Sequence, residues 1–437
     1  MRRRTVITGA GPISALGVGI DAHWDAMQSG RTGLAPMTSF DPGWYTCHVA
    51  GELDADRFKV RSVVPKSYRK AVKVMCRDVE LAVGAAADAI VHSNLSTPGV
   101  DHESGFPIPP ERLGCHIGAG LIAADVNELT VAFSSSRGDD GEVDLATWGT
   151  SGMENLTPLW LLKYLPNMLA CHVTIVHDCR GPSNTITCAE SSSALSLGES
   201  MRVIERGSAD ACLSGGAESK LNPLNYYRQH SAGRLADARD LEPGDVVRPF
   251  AENASGTALG EGGGLLVIEA LDHCTERGGT PMAEVRGYAA TQSPTHDGLG
   301  ADADDIAAAI TMALRDADLD SADIDAVVPF GCGIPVVDRA EAEAIKKIFG
   351  ERAGELELVL TVPYTGNCNA GNGTIQIAVA SRCLQEQSLP ARLNTGSVEC
   401  GLKAGPRAAG PASLRNMLVL SASQGGQNTA VVLGRCE

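Results

Sequence analysis

One stretch of this chain combines residue types and spacing that could support covalent chemistry: Gly181-Pro182-Ser183-Asn184-Thr185-Ile186-Thr187-Cys188-Ala189-Glu190, then Ser191-Ser192-Ser193 and a periodic segment to Ser200. A turn, a β-rich run, small residues and then a helix make the pattern of a nucleophile elbow. In an elbow, a strand delivers one side chain onto a helix N-terminus. Two side chains compete for the tip. A cysteine there would have its thiol pKa lowered and could carry a covalent intermediate. A glutamate there would accept hydrogen bonds from the helix N–H groups, or act as a base if desolvation raised its pKa. The candidates are Cys188 and Glu190.

Other reactive residues form no constellation. His172 and His177 flank an expected strand over 172–176, and His230 and His296 lie outside any motif; each reads as a core or surface histidine. The thirteen cysteines are odd in number and irregularly spaced, with no CxxC or His-rich cluster. That pattern predicts reduced thiols in a cytoplasmic protein and no metal site. Gly9-Ala10-Gly11-Pro12 follows a first strand but lacks the rest of a dinucleotide fingerprint, so no cofactor is expected.

The elements that position the elbow are legible from pattern. The length of 437 residues and a hydrophobic content of 43% imply a large globular chain. The net charge of −17 argues against a nucleic-acid partner. It also disfavours broad attraction to an acidic carrier protein, a job left to a local basic patch. No apolar run reaches the ~18–20 residues of a membrane span. The N-terminus reads as a first strand and not as a leader. Strands near 5–8, 112–120, 209–216 and 265–269 alternate with helices at 74–92 and 191–206, the latter closed by Gly207. A second round follows: a strand from 283, helix 302–317, strand 324–329, helix 338–349, strand 357–361, helix 371–387 and two terminal strands. Residues 134–151 read as a loop. Two rounds of alternation predict an α/β protein with units 1–270 and 271–437.

At this point the chain resembles the β-ketoacyl synthases of the thiolase fold. The resemblance rests on Leu165-Pro166-Asn167-Met168, Gly181-Pro182, Ser214-Gly215-Gly216-Ala217-Glu218 and Arg248-Pro249-Phe250. Gly260-Glu261-Gly262-Gly263-Gly264, Asp338-x-x-Glu341-Ala342-x-Ala344-Ile345 and Gly425-Gly426-x-Asn428 continue it in the family's order. It implies a five-layer αβαβα fold, two similar halves and a dimer. It also implies a cysteine nucleophile, two histidines that bind the thioester oxygen, a lysine and a Gly-Phe-Gly-Gly gate.

This sequence departs from the family at each of those positions. The family's nucleophile lies eight residues after the Pro of the turn and eight before the Gly of the helix, and both counts reach Glu190. Cys188 lies one strand repeat upstream, about 6–7 Å away, and reads as a structural thiol. Phe330 and Asn367 stand at the histidine positions, and Val362 at the lysine position. The gate reads Ser423-Gln424-Gly425-Gly426. Losing one oxyanion donor typically costs ~10²–10³ in rate, and losing the nucleophile removes the covalent route.

The resemblance therefore implies a chain-length-factor-like homologue, non-catalytic by itself, that pairs with an active ketosynthase in fatty-acid or polyketide synthesis. Glu190, Gln424, Gly425 and Gly426 are its expected acyl-contacting residues, and an acyl carrier protein is a further expected partner. One alternative is an enzyme acting on carrier-bound acyl or malonyl chains through Glu190. Another is a homodimeric acyl-binding or scaffold protein.

Overall fold

The computed structural model describes residues 2–100, 105–294, 302–393, 396–398 and 400–436, so His296 lies outside the described residues. The main path of its sheet holds ten strands. The first five are β1 (Thr5–Ser14), β2 (Leu113–Gly118), β3 (Ser183–Ile186), β4 (Ala211–Ser219) and β5 (Leu259–Ala270). The second five are β6 (Ala283–Gln292), β7 (Ala326–Val328), β8 (Glu357–Leu358), β9 (Asn416–Ala422) and β10 (Gln427–Gly434).

Their spatial order is β8-β7-β9-β10-β6-β1-β5-β4-β2-β3. Read outward from the centre, the same order occurs twice. In the first half β2 is parallel to β3 and β4, while β5 is antiparallel to β1 and β4. In the second half β7 is parallel to β8 and β9, while β10 is antiparallel to β6 and β9. Among the described residues, the strands of the two runs pair only where Thr5–Ile7 meets Ala283–Val285.

Six helices complete the layers: α1 (Arg77–Ser93), α2 (Met168–His177), α3 (Ser192–Glu205), α4 (Ala303–Asp316), α5 (Pro335–Phe349) and α6 (Asn372–Glu386). Helices α3 and α6 pack on each other and on strands of both runs, forming the middle layer. Helix α1 covers the first run with α2 against it, and α4 covers the second with α5 against it. This is the five-layer order that the resemblance implies.

A helix buried on all sides needs small residues for close approach, and α3 supplies Ser192, Ser193, Ala194, Ser196, Gly198 and Ser200, all buried. Two of its serines satisfy their hydroxyls locally: Ser192 donates to the Ala189 carbonyl at 2.7 Å and Ser196 to the Ser192 carbonyl at 2.9 Å. A side chain at Gly198 would collide with the Tyr288 ring.

Two local expectations differ from the structure. The strand expected at 172–176 is helix α2. Its β-branched run favours a strand by propensity, but burial of Leu169, Val173 and Val176 against α1 and β2 overrides it. The segment expected as a loop over 134–151 contains helical turns from Leu145 onward, capped by the Asp144 carboxylate at the Ala146 and Thr147 N–H groups.

Candidate functional site

β3 ends at Ile186, and the chain turns sharply before α3. Ala189 takes φ +45°, a left-handed conformation that costs a non-glycine residue about 1–2 kcal/mol. The next residue occupies the tip in a single 3-10 turn, Ala189–Ser191. The second half repeats the device: Asn369 has φ +47° in the turn Asn369–Gly371 that precedes α6. The tip residue of the first elbow is Glu190, as the counting predicts. Glu190 is 1% exposed.

The helix N-terminus is not its principal partner. Arg234, also 1% exposed, directs one terminal guanidinium nitrogen onto Glu190 Oε1. The Gln424 N–H donates to Glu190 Oε2 at 3.1 Å. Burial alone would push the Glu190 pKa up. The Arg234 charge, the N–H groups of Gln424 and of Glu190 itself, and the more remote Lys220 outweigh it and hold the carboxyl below the usual glutamate range. Glu190 is thus an ionised, paired carboxylate.

Arg234 is not legible from sequence as a site residue. It lies forty-four residues from Glu190, in the turn after the helix Pro223–Ser231, and belongs to no motif. Its backbone is fixed on both sides: its N–H donates to the Gln229 carbonyl at 3.1 Å and its carbonyl accepts from the Thr257 N–H at 2.9 Å. The only signal in sequence is an arginine within a small-residue stretch, Ser231-Ala232-Gly233-Arg234-Leu235-Ala236.

Cys188 is half-buried, and its N–H donates to Ser192 Oγ at 2.8 Å. Burial pushes its thiol above the ordinary range, away from the thiolate a nucleophile needs.

Phe330 is 1% exposed and carries no polar side-chain group. Its loop is held by the retained acidic motif. Glu341 accepts from the N–H groups of Phe330 (2.7 Å) and Gly331 (3.0 Å). Asp338 accepts from those of Phe250, Cys332 and Gly333 at 2.9–3.0 Å. Burial pushes Asp338 up to about 6 and Glu341 up to about 8. The motif is therefore a brace for this loop. Asn367 is fully buried, and its Oδ1 accepts from Asn369 N–H and Asn372 Nδ2. Val362 is fully buried in the short helix Val362–Thr365.

Of the expected acyl contacts, Gln424 meets Glu190 directly, whereas Gly425 and Gly426 shape the turn between β9 and β10. The histidines serve packing: His172 Nδ1 lies 2.8 Å from Tyr68 Oη, His177 Nδ1 lies 2.7 Å from Thr97 Oγ1, and His230 packs edge-on against Trp44 and Tyr45. Among the described residues no cluster of His, Cys, Asp or Glu suits a metal ion, and no helix is long and apolar enough to cross a membrane. A cleft of about 1110 Å³ opens elsewhere in the first half, and Glu190 does not line it.

The comparisons with known proteins agree with this fold. Residues 2–273 match the N-terminal domain of β-ketoacyl synthases, and residues 282–396 match their C-terminal domain. A Streptomyces coelicolor protein named for the β-ketoacyl synthase 1 of actinorhodin polyketide formation is 30% identical, over 100% of this chain and 90% of its own length. The structure of the ishigamide ketosynthase/chain length factor superposes with a TM-score of 0.84 at 24% identity, covering both chains completely. A type II polyketide ketosynthase, bound to the hexaketide and in complex with its acyl-carrier protein, gives 0.81 at 22%, again over both whole chains. The shared fold, the two matched domains and the full-length relative together place this chain in the β-ketoacyl synthase family.

Proposed function

We propose that the chain is a non-condensing, chain-length-factor-like member of the family that pairs with an active ketosynthase in polyketide or fatty-acid assembly. One observation carries the reading: the elbow tip holds an ionised glutamate locked to a buried arginine. Condensation by this fold needs a transferable acyl group on a nucleophile at that point. A carboxylate whose charge is neutralised by Arg234, and which solvent does not reach, offers none. The same burial weakens the alternative of Glu190 as a base.

Surface features support the partners. Among the described residues, ten of the seventeen exposed large apolar residues lie between Leu121 and Ile175, including Val131, Leu145, Leu159 and Leu161. Among the described residues, β3 closes one end of the sheet with its outer edge unpaired. Exposed apolar side chains gathered in one stretch of chain, and an open strand edge, each fit a subunit interface. The exposed Lys59, Arg61, Lys66, Lys70 and Lys73 make a local basic stretch in an acidic chain, which suits an acidic carrier protein. The repeated topology supports units 1–270 and 271–437.

Co-expression with a ketosynthase encoded beside it, followed by size-exclusion and product analysis, tests the reading. A heterodimer that alone makes full-length product is the expected result. A homodimer that ignores the ketosynthase would favour the scaffold reading. Turnover of malonyl-carrier by the pure chain, abolished in Glu190→Ala, would establish the enzymatic one.

A further inference from the structure

Aromatic side chains are scarce in this sequence and unevenly placed. Of four tryptophans, seven tyrosines and seven phenylalanines, five lie in two short segments as Phe40, Trp44, Tyr45, Tyr226 and Tyr227. The fold joins the two segments. Tyr226, fully buried on the helix Pro223–Ser231, donates its hydroxyl to the Cys47 carbonyl. Phe40 and Tyr45 meet the Tyr226 ring edge-on, with centroids 5.3 and 4.9 Å away. Trp44 then stacks on Tyr45 at 4.4 Å.

His230 lies 5.1 Å from both stacked rings, which places it beside the stack and not on the outer face of Trp44. Among the described residues no further ring meets Trp44, and Trp44 is 70% exposed. A buried tyrosine, edge contacts and a stack thus hold an indole ring in one orientation in water. A rigid aromatic side chain loses little freedom on binding, and tryptophan is enriched among the residues that carry interface energy.

The charges around the ring choose the occupant. Asp41 accepts from the Gly43 N–H at 2.9 Å, in the turn leading to Trp44. The Ala238 N–H donates to the Thr46 carbonyl at 3.0 Å, which sets Asp237 and Arg239 beside the segment that carries Trp44. Over residues 40–47 and 223–245, the carboxylates of Asp41, Asp237, Asp240, Glu242 and Asp245 outnumber the two exposed arginines, Arg228 and Arg239. Arg239 is paired with Asp237, Arg228 donates to Asn225 Oδ1 at 3.2 Å, and the buried Arg234 is locked to Glu190. This surface repels an acidic carrier and attracts a cation. Trp44 offers one open plane and no enclosing walls. A flat guanidinium, which stacks on a ring face while its N–H groups reach carboxylates, fits that plane better than a spherical ammonium.

We infer that Trp44 anchors a docking surface for a partner protein that presents an arginine. The surface differs in residues and in sign of charge from the basic stretch proposed for the carrier. The inference stands apart from the pairing with a ketosynthase, which is read from co-elution and product.

The full chain, labelled with ¹⁵N in its tryptophan indoles, tests it with capped triarginine, trilysine and tricitrulline as probes. Trp44→Phe assigns the Trp44 signal among the four tryptophans. The expected result is a saturable shift of that signal by triarginine. Calorimetry should give triarginine a dissociation constant about two- to fivefold below that of trilysine, the range of one exposed cation–π contact. Tricitrulline, flat but uncharged, binds more weakly than either. In Trp44→Ala, which removes an exposed side chain, triarginine and trilysine bind equally; Asp41→Asn weakens both. An unmoved Trp44 signal overturns the inference, as does equal affinity of triarginine and trilysine for the wild type. A preference that persists in Trp44→Ala, or tricitrulline binding as tightly as triarginine, overturns it too.

Discussion

At the scale of single residues, the Glu190–Arg234 pair is the most consequential contact in the molecule. Both partners are 1% exposed, so each depends on the other for its solvation. Removing one leaves a buried, uncompensated charge, which typically costs about 3–5 kcal/mol, whereas replacing both by apolar groups is often neutral. Arg234→Met is therefore expected to lower the urea midpoint strongly, and Glu190→Leu combined with Arg234→Met to recover most of the loss. Additive effects of the two substitutions would show that the pair is not a unit. The pair also has a pH signature. The Glu190 pKa is depressed in the folded state, so its contribution is complete above the ordinary glutamate value and is lost as pH falls through the folded value. Denaturation curves between pH 5 and about 2 should converge for wild type and Glu190→Gln as the wild-type carboxylate protonates. The tip position itself is legible in sequence, because it follows from counting between Pro182 and Gly198. Its partner is not, because a contact spanning forty-four residues leaves no local periodicity or motif.

At the scale of elements, the elbow is a strand, a strained turn and a close-packed helix, and sequence reports these unequally. The glycine and serine content of α3 by itself announces close packing. The opposing Tyr288, on β6 of the other sheet run, is invisible in sequence, although it sets the tolerance at Gly198. A methyl group there would lie 2.2 Å from the ring. Gly198→Ala is expected to destabilise by about 1–3 kcal/mol despite the better helix propensity of alanine. Gly207→Ala, with open space around it but φ +75°, should cost less, about 1–2 kcal/mol, through backbone strain alone. Thermal melts of the two variants separate packing from conformational cost. Helix α2 shows the converse limit: its Val-Thr-Ile-Val run speaks for a strand, and only the layer that buries it decides otherwise. The Asp338–Glu341 motif reads in sequence as a family marker. The structure gives it a physical task, holding the loop of Phe330, which is independent of any chemistry at that position.

At the scale of the whole molecule, the two sheet runs keep one topology while one elbow tip carries a locked charge and the other, at Ala370, a methyl group. On the proposed non-condensing reading, the braces, the strained turns and the central helices surround elbow tips occupied by Glu190 and Ala370. The pairing that this reading proposes is a property of the surface, and the exposed apolar residues there are unevenly distributed along the chain. Leu145 is 78% exposed, and Leu159 and Leu121 are each 64% exposed, within one stretch of chain; among the described residues β3 ends the sheet with its outer edge unpaired. Large apolar side chains left in water mark interaction surfaces when they gather, and an unpaired edge invites another strand. Leu145→Asp with Leu159→Asp should leave the melting of the isolated fold nearly unchanged, because neither side chain is buried. The same substitutions should abolish co-elution with the ketosynthase, since each would bury an uncompensated carboxylate in the interface. Lys66→Glu with Lys70→Glu is the matched control for the basic stretch and should leave co-elution intact while weakening carrier-protein binding in a salt-dependent way. Loss of the heterodimer in the lysine variant, or its survival in the leucine variant, would assign the pairing surface to the wrong face of the molecule.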